Sequence, residues 1–84
     1  MKKIVIYTTD YCPFCTKAKR LLDMKKAHYK EIDVTDNAAL REEMMKKAEG
    51  RRTVPQIFID DRPVGGCDDL YALNEQGHLD SLLT

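Results

Sequence analysis

Residues Ile4-Val5-Ile6-Tyr7 form an unbroken apolar run that stops shortly before Cys12-Pro13-Phe14-Cys15, where a stretch of helical period begins. This junction limits the fold more than any other stretch. A strand apolar on consecutive residues suits a central position covered on both faces, as in an α/β sheet. The start of the following helix is marked chemically. Proline is favoured at the first helical position, where its missing N–H would be unpaired anyway. Cys12 is thereby expected at the N-cap and Cys15 at the third helical position. A sulfur at the N-cap faces the unpaired N–H groups of the first turn, here those of Phe14 and Cys15, and the positive end of the helix dipole. Both favour the thiolate. Lowering a thiol pKa from roughly 8.5 to about 7 is worth about 2 kcal/mol, and it raises the ionised fraction at neutral pH to about half. Cys12 reads as the attacking thiolate and Cys15, one turn on, as the resolving thiol.

The same spacing can be half of a structural zinc site, which takes four ligands, usually from two such clusters. The other candidates, Cys67, His28 and His78, are scattered singly. Redox chemistry is therefore carried forward and no metal is expected. At 84 residues the chain is expected to be one domain, 1–84. Its three cysteines, two of them in one small loop, are no disulfide framework, so the fold has to rest on a hydrophobic core. No signal-like or membrane-spanning run is present, and a reducing, cytoplasmic setting fits. Fourteen basic residues balance 14 acidic ones, so neither nucleic acid nor membrane is implied as a partner.

Along the chain, a strand is expected over 3–8 and a helix over 13–26, with Ala18, Leu21 and Leu22 on its core stripe. A second strand is expected over 28–33. A second helix, capped by Thr35 or Asp36, runs to about Ala48 with Leu40, Met44 and Ala48 four apart, and Gly50 stops it. A third strand follows Pro55, Asp60-Asp61 turns the chain, and Arg62–Gly65 forms a strand that Pro63 places at an edge. Gly65-Gly66 breaks the chain before a helix from about Cys67 or Asp68 to Gln76, with Leu70 and Leu73 inward. Leu79, Leu82 and Leu83 make a final turn over the core. That order gives a four-stranded mixed sheet flanked by helices on both faces, with the cysteine loop at the C-terminal end of the first strand.

Three separated segments together resemble one family: Tyr7-Thr8 before Cys12-Pro13-Phe14-Cys15, then Thr53-Val54-Pro55-Gln56-Ile57-Phe58-Ile59, then Gly65-Gly66-Cys67-Asp68-Asp69-Leu70. They are similar to the glutaredoxins of the thioredoxin-like superfamily, in particular the small bacterial dithiol class of the glutaredoxin 3 type. The resemblance implies a thioredoxin-like fold and a glutathione-dependent disulfide oxidoreductase, with glutathione as reducing co-substrate. It implies a cis Pro55 that turns the Val54 backbone outward beside the reactive sulfur, where it pairs with glutathione like an added strand. Thr53 belongs to the same binding segment. Gly65 and Gly66 would let the chain pass close to the ligand. The helix start at Cys67-Asp68-Asp69 would receive the γ-glutamyl carboxylate, and the Asp69 side chain its amino group. Arg51 would meet the glycine carboxylate, and Phe14, where tyrosine is common, would supply an aromatic wall. Cys67 reads as a packing residue with a usable backbone N–H, its rival role being a regulatory thiol.

One departure stands out. Many members carry a lysine three residues before the first cysteine, and here that position is Thr9. A partly exposed ion pair is worth only about 0.2–1 kcal/mol, so weaker binding rather than lost function is expected. The implied clients are protein disulfides and glutathionylated proteins, ribonucleotide reductase among them, served by a monomer. Two other classes remain open: an iron–sulfur scaffold using Cys12 and glutathione between two subunits, which the stiffening Pro13 argues against, and a zinc module. A thioredoxin-reductase-linked redoxin is the competitor within the enzyme class, and the Gly-Gly-Cys-Asp-Asp segment favours glutathione over it.

Overall fold

A computed structural model describes residues 2–83. The chain runs β1 (Ile4–Thr8), α1 (Pro13–Met24), β2 (Lys30–Asp33), α2 (Ala38–Lys47), β3 (Gln56–Ile59), β4 (Arg62–Gly65), α3 (Cys67–Glu75) and α4 (Leu79–Leu83). The sheet order is β2-β1-β3-β4. β1 pairs parallel with β2 and antiparallel with β3, which pairs antiparallel with β4. The expected mixed four-stranded sheet is therefore present.

The apolar run of β1 is explained by two cores. Successive strand residues point to opposite faces. Ile4 and Ile6, with Ile57 and Ile59, pack against Ala18, Leu21 and Leu22 of α1, Leu70 of α3 and Leu79 of α4. Val5 and Tyr7, with Phe58, pack against Met44 and Ala48 on the α2 side. The Tyr7 and Phe58 rings meet edge to face, centroids 5.6 Å apart. All five residues of β1 are buried, whereas β2 exposes Lys30, Glu31 and Asp33. Charged side chains on an edge strand oppose pairing with another chain, and Pro63 does the same on β4. The β3–β4 turn has positive φ at both Asp60 (51°) and Asp61 (66°), the backbone that short hairpins favour. Asp60 also exchanges two bonds with Lys3, accepting from its N–H at 2.9 Å and donating to its carbonyl at 2.8 Å.

Element ends differ from expectation where side chains found other partners. The cap of α2 is Asn37, whose side chain accepts from Leu40 N–H at 2.9 Å, rather than Thr35 or Asp36. Thr35 is used elsewhere: its N–H donates to Asp33 Oδ1 at 2.8 Å, and its hydroxyl accepts from the Asp10 N–H at 2.8 Å. That ties the segment after β2 to the cysteine loop. α1 ends at Met24, two residues early, because Lys26 turns to φ 56°. Lys26 N–H then bonds Asp23 O and Ala27 N–H bonds Leu22 O, closing a Schellman motif. α2 closes the same way, with Glu49 (φ 58°) in the left-handed position and Gly50 one residue later. α3 ends at Glu75, one residue before the expected Gln76, and Gly77 takes the left-handed place. β2 begins at Lys30, leaving the exposed His28 outside it. Among the described residues no helix is long and apolar enough to cross a membrane.

Candidate functional site

The site is assembled from three loops at one end of the sheet. In the first, Cys12 has an extended backbone (φ −112°, ψ 96°), Pro13 opens α1, and the Cys12 Sγ accepts from the Cys15 N–H at 3.0 Å. Of the two amides expected to face the sulfur, Cys15 makes the bond. Cys12 and Cys15 form a disulfide with Cα atoms 5.1 Å apart. Cys15 is 2 % exposed and Cys12 half-buried, so an incoming sulfur reaches Cys12 first. Tyr11 and Phe14 flank the pair as exposed aromatics, and Tyr11 has φ 52°.

The second loop brings Val54 to the sulfur. Its carbonyl oxygen lies 3.9 Å from Cys12 Sγ, 42 residues away in sequence. The Val54–Pro55 peptide bond is cis, as the resemblance implied. Sequence reasoning gave Gln56 no part in this. Gln56 is 1 % exposed, and its amide donates to Thr53 O at 2.9 Å and Thr53 Oγ1 at 3.3 Å, bracing the loop from within. A glutamine amid apolar strand residues was the available signal, since a buried amide has to find partners.

The third loop is the start of α3. Asp69 Oδ2 accepts from the Gly66 N–H at 2.9 Å and from Arg51 Nη2 at 3.1 Å. The Gly66 N–H first, then the Arg51 guanidinium, hold the Asp69 carboxyl below the usual carboxylate range against the opposing effect of burial. Both bonds fall on one oxygen. Gly65, at φ +117°, lies against this pair: a Cβ there would run into the Asp69 carboxylate and stand 2.7 Å from Arg51 Nη1. A Cβ on Gly66 would come 3.3 Å from the Pro55 carbonyl. The close approaches at both glycines are thus to the protein's own loops. Cys67 is buried at 4 %, and burial pushes its thiol up. Tyr71 of α3 donates to the Lys17 carbonyl at 3.2 Å, with the Lys17 ammonium 4.8 Å from its ring centre, so α3 is tied to α1.

Phe14, Arg51, Thr53, Val54, Pro55, Gly66, Cys67, Asp68 and Asp69 line one cleft of ≈ 240 Å³. The structure brings together all nine residues singled out for glutathione. Cys12 lies on the rim beside Val54. Arg52 stays outside the lining, its carbonyl accepting from Arg41 Nη2 at 3.2 Å. Thr9 borders a separate groove that includes Cys12 and Cys15. Among the described residues no group of three or more His, Cys, Asp or Glu side chains could hold a metal ion.

Comparisons with known proteins agree with this geometry. The glutaredoxin family model matches residues 4–64. The chain is 54% identical over 83 residues to glutaredoxin 3 of Escherichia coli (strain K12), covering 99% of each chain. The solution structure of glutaredoxin from Brucella melitensis is 53% identical and superposes with a TM-score of 0.86, over 99% of this chain and 89% of that one. A buckwheat glutaredoxin–glutathione complex, 29% identical, gives a TM-score of 0.88 over 98% of this chain and 76% of that one.

Proposed function

This chain belongs to the glutaredoxin family, and from that premise we propose how its own residues divide the work of the reaction. It is a glutathione-dependent thiol–disulfide oxidoreductase. Cys12 is the nucleophile. In the reduced protein its thiolate accepts the Cys15 N–H and sits at the positive end of α1, which lowers its proton affinity. On a glutathionylated protein, the Cys12 thiolate attacks the glutathione sulfur. A Cys12–glutathione disulfide forms, the old mixed disulfide breaks, and the client leaves as a thiolate that takes up a proton. The thiolate of a second glutathione then attacks the glutathione sulfur of that disulfide, forming glutathione disulfide and releasing Cys12 as its thiolate.

On a protein disulfide, Cys12 forms a bond to one client sulfur and the other departs as a thiolate. Cys15 then attacks Cys12 Sγ, expels the client's remaining thiolate and leaves the Cys12–Cys15 disulfide. The client gains two electrons and the enzyme loses two. Two glutathione molecules restore the dithiol, the first attacking Cys12 because Cys15 is shielded.

The nine-residue cleft holds the tripeptide in this reading. The Val54 backbone pairs with its cysteine portion, and the α3 start with Asp68 and Asp69 takes the γ-glutamyl end. Arg51 takes the glycine carboxylate, and Phe14 forms the wall. The observation that carries the assignment is the Cys12 sulfur capping α1 while 3.9 Å from the Val54 carbonyl at the cleft rim. The clients are protein disulfides and glutathionylated proteins, ribonucleotide reductase among them. The enzyme works as a monomer in the cytoplasm. The test compares Cys12→Ser with Cys15→Ser in a glutathione mixed-disulfide assay. The first is expected to be inactive and the second active; equal loss in both refutes the one-thiol step.

A further inference from the structure

A second groove, of ≈ 460 Å³, borders Cys12 and Cys15 and is separate from the nine-residue cleft. Its lining includes Asp10, Tyr11, Lys19, Glu31 and Asp33. The charges there are unequal. Glu31 Oε2 is engaged by the Lys19 ammonium at 3.0 Å and by the Thr8 hydroxyl at 2.8 Å. Asp33 has its carboxyl held low by the Thr35 hydroxyl and N–H, and it faces the side chain of Asp10. Among the described residues no basic side chain forms an ion pair with Asp10 or Asp33. Lys19, bonded to Glu31, acts on Asp33 without forming an ion pair with it, so three carboxylates in the lining face one ammonium and leave an excess of negative charge beside the reactive sulfurs. Tyr11, fully exposed, stands at the same rim.

Resting on the glutaredoxin reading and deepening it, we propose that this groove receives the polypeptide of a protein client beside its attacked cysteine, and that it favours clients with a lysine or arginine there. The argument is one of charge complementarity. Glutathione carries two carboxylates and one ammonium. Asp10 and Asp33 repel its two carboxylates, whereas the other cleft offers one of them the N–H groups at the start of α3. A client chain with a basic residue next to its disulfide meets the opposite field. The exchange at Cys12 is unchanged: one client disulfide is reduced and the enzyme dithiol oxidised. The groove sets which client arrives, as complementary charge across an interface does.

The test uses two disulfide-cyclised peptides differing only in having Lys or Glu before one cysteine, turned over with glutathione as reductant. At low salt kcat/KM is expected to favour the Lys peptide by about fivefold, the scale of an exposed charge pair. The preference shrinks toward parity at about 0.5 M salt, where screening is nearly complete at this range. Asp10→Asn combined with Asp33→Asn abolishes it while keeping the side-chain oxygen that Thr35 uses. Asp10→Lys, at an exposed position, reverses it. An unchanged Lys-to-Glu ratio in these variants overturns the inference. The mixed disulfide of glutathione and 2-mercaptoethanol has no chain to place in the groove, and the variants should reduce it at the wild-type rate. Loss of that rate in the variants also overturns the inference. Failure of the wild type on this small disulfide refutes the oxidoreductase reading itself and removes the inference with it.

Discussion

Asp69→Ala is expected to destabilise the protein by about 2 kcal/mol at neutral pH, and each part of that figure comes from a contact at the start of α3. The carboxylate accepts from the Gly66 N–H at 2.9 Å, the reciprocal half of a capping box, and losing such a cap costs about 1 kcal/mol. The negative charge in the first turn of α3 is worth about 0.3–1 kcal/mol. The ion pair with Arg51 is half exposed on both sides, so about 0.3 kcal/mol is assigned to it. For a domain of this size about 2 kcal/mol corresponds to a fall in Tm of roughly 10 °C. Asp69→Asn retains an acceptor and loses the charge, so about half that fall is expected. The pH dependence follows from the carboxyl being held below its ordinary value of 3.8. The charged form's contribution is complete above the unfolded value and disappears as pH falls through the lower folded value. Thermal unfolding followed by far-UV circular dichroism, at pH 7 and at about pH 2.5, reads both effects. Equal melting temperatures for wild type and Asp69→Asn at pH 7 would falsify the electrostatic part. So would a gap that persists undiminished in acid.

Lys26→Gly and Glu49→Gly remove side chains from left-handed backbone at φ 56° and φ 58°, and each is expected to stabilise by about 0.5 kcal/mol in urea unfolding. A lower midpoint in both would contradict the Schellman assignment. Gly65→Ala drives a methyl into the Asp69–Arg51 pair at φ +117°, so a loss of at least about 2 kcal/mol and a raised KM for glutathione are expected together. Unchanged values of both refute the packing role. In the reduced protein, iodoacetamide should alkylate Cys12 near neutral pH well before Cys67, whose thiol burial pushes up; comparable rates at pH 7 would contradict that ordering.

Local chemistry was legible in the chain itself. Pro13 after Cys12 marks the start of α1, the β-branched run marks a central strand, and Asp60-Asp61 marks the hairpin, because each depends on neighbours within a few residues. Helix ends were less legible. Thr35 is drawn from the cap by Asp10, 25 residues away, which leaves it to Asn37, and the left-handed Lys26 and Glu49 are residues with no glycine to mark the turn. The family motifs named the nine cleft residues, and the fold placed them together.

By itself the sequence determined the redox pair, its place at a helix start and the alternation of buried elements, since these follow from backbone geometry, capping and hydrophobic period. Only the tertiary structure decided that Arg51 meets Asp69 and that Asp10 faces Asp33, and it set at 3.9 Å the approach of the Val54 carbonyl to the Cys12 sulfur that the family resemblance implied. Those pairs are separated by 18 to 42 residues. Their contact depends on how the two cores stack helices on the sheet, and no local preference of the chain encodes that.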